Sequence, residues 1–176
     1  MADSTYAMAS TLLDCLNEQF PQADLPTPGD FCLIAGEQMS EDIDPVNGED
    51  LCCTGRGWVR VGDVYPSSNF PNPDTLAEPC LPTGWAQAFE VGILSCYHPG
   101  GDPAAATCAE HNQQAVYDIA RIFTLKQVAC CFQVKLKENP KWRGRKFLVQ
   151  SINVSGPRGN CISRVMTVLV SIGKCC

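Results

Sequence analysis

Alternation of apolar and polar residues constrains the fold of this chain more than any other feature. It runs through three segments: 58–65, 85–97 and 163–172. In the first segment it places Val59, Val61 and Tyr65 on one face. Alternation with a period of two is typical of strands that bury one face. The chain is therefore expected to form a sheet with one packed side.

Two other segments carry apolar residues at helical spacing. The first is 5–20, with Ser4 available as N-cap. The second is expected to begin with Asp102 as N-cap and Pro103 as its first residue. A break near Thr124 would be compatible with its pattern. Its expected apolar stripe consists of Cys108, Ala115, Val116, Ile119, Ile122, Phe123, Val128, Ala129, Phe132 and Leu136.

The order of elements defines the expected fold class. A short strand at 31–35 and a C-terminal hairpin, with its turn at 156–159, complete the order α, β, β, β, α, β, β. This order predicts an α+β fold, with a mostly antiparallel sheet of four to five strands and two main helices packed on one face. The 176 residues are expected to form a single domain with long loops at about 36–57 and 66–83.

Charge is distributed unevenly along the chain. Residues 1–50 contain eleven Asp or Glu and no Lys or Arg, whereas residues 121–176 contain eleven Lys or Arg and one acid, Glu138. The net charge is −6. Six of the bases are crowded together: Lys135, Lys137, Lys141, Arg143, Arg145 and Lys146.

This polarity has three interpretations. Two solvated faces could partly neutralise each other within one fold. The basic segment, with Trp142 for stacking, could bind nucleic acid, although the acidic remainder would repel a polyanion. An acidic edge could instead meet the basic edge of an identical copy, and a repeated head-to-tail contact of this kind can close a ring.

Residues suited to catalysis are scarce. Only His98 and His111 could supply an imidazole, and no nucleophile motif or phosphate-binding loop accompanies them. Each is expected to be a surface histidine. The chain is expected not to be an enzyme, with no catalytic residue and no cofactor.

Zinc is the metal that the cysteines would suit best. Cys52-Cys53, Cys80 and Cys96-x-His98 offer soft ligands. Adjacent cysteines in an extended chain, however, point to opposite sides and cannot share one ion easily. No metal site is expected, and a cysteine-rich zinc module is kept as an alternative.

The start of the chain and its cysteines bear on the compartment. Asp3 stands where a secretory signal would carry Lys or Arg, and no apolar run is long enough to span a membrane. The protein is expected to fold in a cytoplasm, where thiols stay reduced. Most of the twelve cysteines are then expected to be small buried hydrophobes, unless pairs oxidise after release in a particle.

Several segments resemble the head-to-tail connector proteins of phages that infect actinobacteria. The most specific is Pro-Ser-x-Asn-Phe-Pro-x-Pro at 66–73, within the longer stretch 58–74. The stretch 85–96, the Cys130-Cys131 pair and Gly-Pro-Arg-Gly-Asn-Cys at 156–161 add to the resemblance. The order of elements is also similar to that of phage tail terminators.

The resemblance implies a structural virion protein of the tail or neck, assembled in the host cytoplasm. Such a subunit would form a ring, expected to be hexameric, at the head-proximal end of the tail tube, end tube polymerisation and join the tail to the head connector. Its partners would be its own copies, the major tail tube protein and a head-completion protein. Genome DNA would pass through the lumen without specific binding, and no membrane is involved. A head-completion or stopper protein of the neck is the alternative.

Charge and resemblance together suggest where neighbouring copies meet. The candidate interface residues are Glu37, Glu41, Asp42, Asp44, Lys141, Arg143, Arg145 and Lys146. The acidic loop within 37–50 is expected to lie near 141–146 of an adjacent copy. Ring assembly should then weaken as the salt concentration rises.

Overall fold

The computed structural model describes residues 2–20, 28–34, 55–75, 84–97, 106–158 and 161–173. The elements are α1 (Ala2–Gln19), β1 (Asp30–Ile34), β2 (Arg56–Pro66), β3 (Trp85–Cys96), α2 (Cys108–Glu138), β4 (Phe147–Arg158) and β5 (Cys161–Ile172). The strands form one sheet in the order β1-β2-β3-β5-β4, in which only the β1–β2 pairing is parallel. The predicted α+β class with a mostly antiparallel sheet is confirmed.

One core cluster joins both helices to the sheet. In β3 the odd-numbered residues Phe89, Val91 and Ile93 belong to it, and so do Met166 and Val168 opposite them on β5. We call this side of the sheet the packed face and the other side, with the even-numbered residues of β3, the open face. Side chains of α1 and α2 share the same cluster. This supports the expectation that both helices pack on one face, which stays a prediction.

The N-cap predicted for the long helix is wrong. Helix α2 begins at Cys108 with Thr107 as N-cap, not at Asp102. The Thr107 hydroxyl accepts a hydrogen bond from the Glu110 amide, and the Glu110 carboxylate accepts one from the Thr107 amide at 2.7 Å. This capping box satisfies two donors at once, and the hydrogen bonds from Thr107 lower the pKa of Glu110.

Two smaller helix predictions are also wrong. Helix α1 already begins at Ala2, so Ser4 lies inside it rather than capping it. Helix α2 runs through Thr124 without a break, and the threonine hydroxyl donates to the Ala120 carbonyl at 3.1 Å.

A bulge in β2 reverses part of the predicted alternation. The register shifts between Val61 and Val64, so Tyr65 lies opposite Ala86 of β3. Val59 lies on the packed face as expected, but Tyr65 lies on the open face, contrary to the prediction. The extra residue of a bulge moves every later side chain of the strand to the other side.

Several boundaries differ from those expected. Strand β2 begins at Arg56, inside the loop expected at 36–57, and the rest of that loop lies largely outside the described residues. Strand β4 continues to Arg158 and β5 starts at Cys161, so the turn expected at 156–159 is wrong. The pairing of the two strands includes a register shift between Ser155 and Arg158, and Arg158 lies opposite Cys161.

Gly92 on the open face permits the close approach of a large side chain. It lies opposite Trp58 of β2, and a Cβ atom on Gly92 would overlap the indole ring. We expect Gly92→Ala to lower the free energy of unfolding by about 1–3 kcal/mol, the usual cost of overpacking.

Urea denaturation followed by circular dichroism measures the effect of Gly92→Ala. Gly173→Ala is the matched control, because no atom of the described residues beyond its chain neighbours lies within 4 Å of the added Cβ. Equal midpoints for the two variants would contradict the close packing of Trp58 on Gly92.

Candidate subunit-interaction surfaces

The predicted basic interface residues form an exposed turn after α2, which we call the basic turn (residues 139–146). Lys141, Arg143 and Lys146 are exposed, whereas Arg145 is half-buried and donates to the Ser171 carbonyl at 3.1 Å. Partial burial lowers the pKa of Arg145. The structure thus brings the predicted cations together. Their predicted partners Glu37, Glu41, Asp42 and Asp44 lie outside the described residues.

The backbone of the basic turn explains the outward direction of its cations. The Asn139 carbonyl accepts from the amides of Trp142 and Arg143, and Gly144 adopts a φ of +89°. Trp142 is buried in the core. Stacking of Trp142 on a nucleic-acid base, which the sequence suggested, is therefore wrong.

Among the described residues, no ion pair neutralises the basic turn. Lys135, one of the six clustered bases, forms an ion pair with Glu18 of α1 at 2.6 Å. No ion pair is present between Lys137, Lys141, Arg143 or Lys146 and a carboxylate of the described residues. These four cations are available to an acidic partner.

Helix α2 exposes several apolar residues, three of which were expected in the core. Val116, Ile119, Phe123 and Val134 are 66, 54, 57 and 52% exposed. Together with exposed Cys130 they occupy a sector of about 60° on the helix, because successive residues advance by about 100°. We call these five residues the α2 outer stripe. The prediction that Val116, Ile119 and Phe123 belong to the core is wrong.

The buried face of α2 lies on the opposite side of the helix. Its second half buries Val128, Ala129, Phe132 and Leu136, as predicted. Its first half instead buries polar residues: Gln114, Arg121 and Thr124. In the first half of α2, polar side chains occupy the inward positions. The apolar side chains of that half consequently face outward.

A buried polar cluster explains this exchange. Arg121 of α2 and Arg164 of β5 both donate to the Ser95 hydroxyl, and Arg164 also forms an ion pair with Asp118. Gln114 donates to the same carboxylate at 2.8 Å. Burial, together with the nearby Arg164, lowers the pKa of Arg121 to about 10. We call these five residues the arginine cluster; it contains two cations and one anion.

The alternation of buried residues in β5 is the sequence feature that points to the arginine cluster. In β5 the residues Ile162, Arg164, Met166, Val168 and Val170 alternate with more exposed ones. An arginine at an apolar position of a buried alternation requires a carboxylate from another element. Asp118 meets this requirement.

A cleft of about 1100 Å³ opens beside the sheet. Leu148, Leu169 and Ala88 line it and form one row across β4, β5 and β3 on the open face. Leu148 is exposed, whereas Leu169 is buried. We call this depression the sheet cleft; its floor combines this apolar row with the neighbouring ion pair between Arg60 and Glu90.

The segment with the most specific resemblance forms one wall of the sheet cleft. We call residues 67–75 the proline loop, and Pro71, Asn72 and Pro73 line the cleft. The Tyr65 hydroxyl donates to the Pro71 carbonyl at 3.0 Å and ties the loop to the open face. Burial, and secondarily the charge of Asp63, raises the pKa of Tyr65.

Hydrogen bonds close the proline loop on itself. The Ser67 amide donates to Gly84 at 2.8 Å, and its hydroxyl donates to the Asn72 carbonyl at 2.8 Å. Ser68 donates from both amide and hydroxyl to the Asp74 carboxylate, at 2.8 and 2.7 Å. These hydrogen bonds join the beginning of the proline loop to Asn72 and Asp74 near its end.

The cysteines are more oxidised than expected. Cys15 of α1 and Cys131 of α2 form a disulfide, and Cys96 and Cys161 are disulfide-bonded as well. Among the described cysteines, Cys32, Cys108 and Cys130 are free. Most described cysteines are therefore not the reduced hydrophobes predicted from the expected compartment.

The zinc alternative loses one of its ligands. Cys96 is disulfide-bonded and so cannot act as a thiolate in this oxidation state. Cys52, Cys53, Cys80 and His98 lie outside the described residues.

His111 lies on the exposed side of α2. Its Nδ1 is 3.2 Å from the Tyr97 hydroxyl. The structure thus places His111 at the surface, as the sequence indicates.

Comparison with known proteins adds no family. No protein-family model matches the chain, and no curated protein is detectably similar to it. Within the described ranges, no helix is both long and apolar enough to cross a membrane. The geometry of the basic turn, the α2 outer stripe and the sheet cleft is therefore the basis for a functional proposal.

Proposed function

We propose that this chain is a non-enzymatic structural subunit that associates with copies of itself into a ring. The observation that carries the proposal is the α2 outer stripe. Exposed apolar patches mark sites of association, and the stripe consists of two such patches on one helix face, with exposed Lys126 and Gln127 between them. A stripe from Val116 to Val134 extends about 27 Å along the helix at 1.5 Å per residue.

The resemblance gives the ring a place in an assembly. We propose that it sits at the head-proximal end of the tail tube of a long-tailed phage, ends tube polymerisation and joins the tail to the head connector. The proline loop, which carries the most specific resemblance, is a defined surface element rather than an unstructured linker. A head-completion or stopper role in the neck is the second candidate, since the same motif supports it.

Lys137 at the end of α2 and the exposed cations Lys141, Arg143 and Lys146 of the basic turn support an electrostatic part of the association. We propose that the basic turn meets the acidic segment 37–50 of a neighbour. Exposed charges attract less strongly as salt screens them, over a distance of about 8 Å at physiological ionic strength. Assembly should accordingly weaken between low and high salt.

The first test replaces Phe123, the aromatic residue of the α2 outer stripe. Phe123→Asp is expected to weaken self-association by about 2 kcal/mol, or roughly thirtyfold in dissociation constant, because central aromatic residues dominate interfaces. Sedimentation velocity over a concentration series measures the change.

A matched control separates the stripe from general surface effects. Tyr6 of α1 is 66% exposed and lies outside the stripe, so Tyr6→Asp should assemble like the unchanged protein. If Phe123→Asp assembled as well as Tyr6→Asp, the stripe would not be an association surface.

A further inference from the structure

We propose that the α2 outer stripe of one copy packs into the sheet cleft of the next copy. This inference rests on the proposed ring and names the two surfaces that form its repeating contact. The occupant of the cleft is a second copy of this chain. The shape, the position and the charge of the two surfaces all support this occupant.

The two surfaces have complementary shapes and chemistry. The stripe is a convex helical ridge of apolar side chains with Phe123 near its middle. The sheet cleft is concave, with Leu148 and Ala88 on its floor, the Arg60–Glu90 ion pair beside them and the proline loop as a wall. An amphipathic helix laid into an apolar groove is a common mode of protein association.

The positions of the two surfaces exclude contact within one chain. The stripe lies on the side of α2 opposite Phe132, and Phe132 packs against Phe147 of β4 with ring centroids 5.7 Å apart. Leu148, the next residue along β4, points to the open face. The helix ridge and the cleft therefore face away from each other on opposite sides of the domain.

Because the α2 outer stripe and the sheet cleft lie on opposite sides of the domain, packing of one into the other joins two copies head to tail. A contact of this type leaves each copy with one free ridge and one free cleft, so a third copy can add in the same way. Repetition closes a ring where the rotation per subunit permits it and otherwise yields a filament. A two-fold contact between identical surfaces would end at a dimer.

A positive charge lies beside the α2 outer stripe, and a negative charge lies in the sheet cleft. Lys126 borders the stripe, with its Nζ 5.9 Å from the centroid of the Phe123 ring. Asp63 is exposed and lines the cleft. Neither forms an ion pair within the described part of the chain. Docking of the ridge would bring a cation to an anion.

Cysteine cross-linking tests the contact directly. Cys130 is free, exposed and part of the stripe, and Gln150 is exposed and lines the cleft. In a Cys108→Ser background, the Gln150→Cys variant should cross-link through a short bis-maleimide, from position 150 of one copy to Cys130 of another. Mass spectrometry of the tryptic peptides identifies the pair. Ser155→Cys, exposed on the same strand but outside the cleft lining, is the control.

A charge exchange gives an independent test. Lys126→Glu and Asp63→Lys should each weaken assembly about two- to fivefold, as expected for an exposed ion pair. The double variant should recover most of the loss. Lys137→Glu together with Asp63→Lys should show no recovery.

The outcomes separate this inference from the proposed function. A link between Cys130 of one copy and position 150 of another in Gln150→Cys, with recovery in the double charge variant, supports the head-to-tail contact. Rings that form without this link and without recovery would overturn the contact but leave the proposed function in place. A Cys130–Cys130 link alone would indicate a helix-to-helix dimer and would also overturn the contact. A monomer at all concentrations would overturn both.

Discussion

Replacing Asp118 by alanine is expected to lower the free energy of unfolding by about 3 kcal/mol or more, because removal of one partner leaves a buried charge uncompensated. Asp118 is the carboxylate that pairs with Arg164, and the Arg164 side chain has no exposed surface. Arg121 lies in the same cluster, and its pKa is already lowered by burial and by Arg164. Urea denaturation followed by circular dichroism measures the loss.

Two comparisons identify charge imbalance as the cause. Asp14→Ala removes an exposed carboxylate of α1 and should change stability by about 0.5 kcal/mol or less. Arg121→Met in combination with Asp118→Ala should recover part of the loss, since it removes one of the two cations. A double variant less stable than Asp118→Ala alone would show that the imbalance is not responsible.

Loss of the disulfide between α1 and α2 is the second large effect. Cys15 and Cys131 are separated by 116 residues, so the bond restricts the unfolded chain over most of its length. The variant Cys15→Ala/Cys131→Ala is expected to lose about 2–4 kcal/mol of stability. Guanidinium denaturation of the oxidised protein measures the difference without reducing the disulfides of Cys96 and Cys161.

The neighbouring cysteine provides the control for this experiment. Cys130 is free and exposed, and Cys130→Ala should unfold at nearly the same denaturant concentration as the unchanged protein. An unfolding midpoint of Cys15→Ala/Cys131→Ala equal to that of Cys130→Ala would contradict a stabilising role of the disulfide.

Features set by local sequence were predictable. The strands and the order of elements follow from alternation, which depends only on neighbouring residues. The second half of α2 follows from helical spacing, and its residues Val128, Phe132 and Leu136 are buried as expected. The exposure of Lys141 and Arg143 follows from their position after a helix that ends near Pro140.

Features set by partners distant in sequence were not predictable in the same way. Helix α2 carries apolar residues on two opposite sides, and spacing alone cannot say which side meets the sheet. The choice is made by Arg121 and Asp118, which lie inside because they meet Ser95 and Arg164 of the sheet. The bulge before Tyr65, by contrast, has a local signal, because Gly62 lies at the register shift and a glycine inside a strand pattern often marks a bulge.

Among the candidate interface residues, the sequence indicated the cations but not the apolar surfaces. Clusters of charged residues can be read directly from the sequence, and the basic turn contains the cations that this clustering predicted. Val116, Ile119 and Phe123 of the α2 outer stripe were expected in the core because apolar residues are usually buried there. The sheet cleft depends on the fold of the proline loop over the open face, which the prolines alone do not specify.

The central claim is that identical copies of this chain assemble through the exposed surfaces of one domain. Electron microscopy of the purified chain, with native mass spectrometry on the same sample, tests it most directly. We predict a closed ring with a central hole, six copies being the number that the resemblance implies. A single species with the mass of one 19.1 kDa chain at every concentration would contradict it.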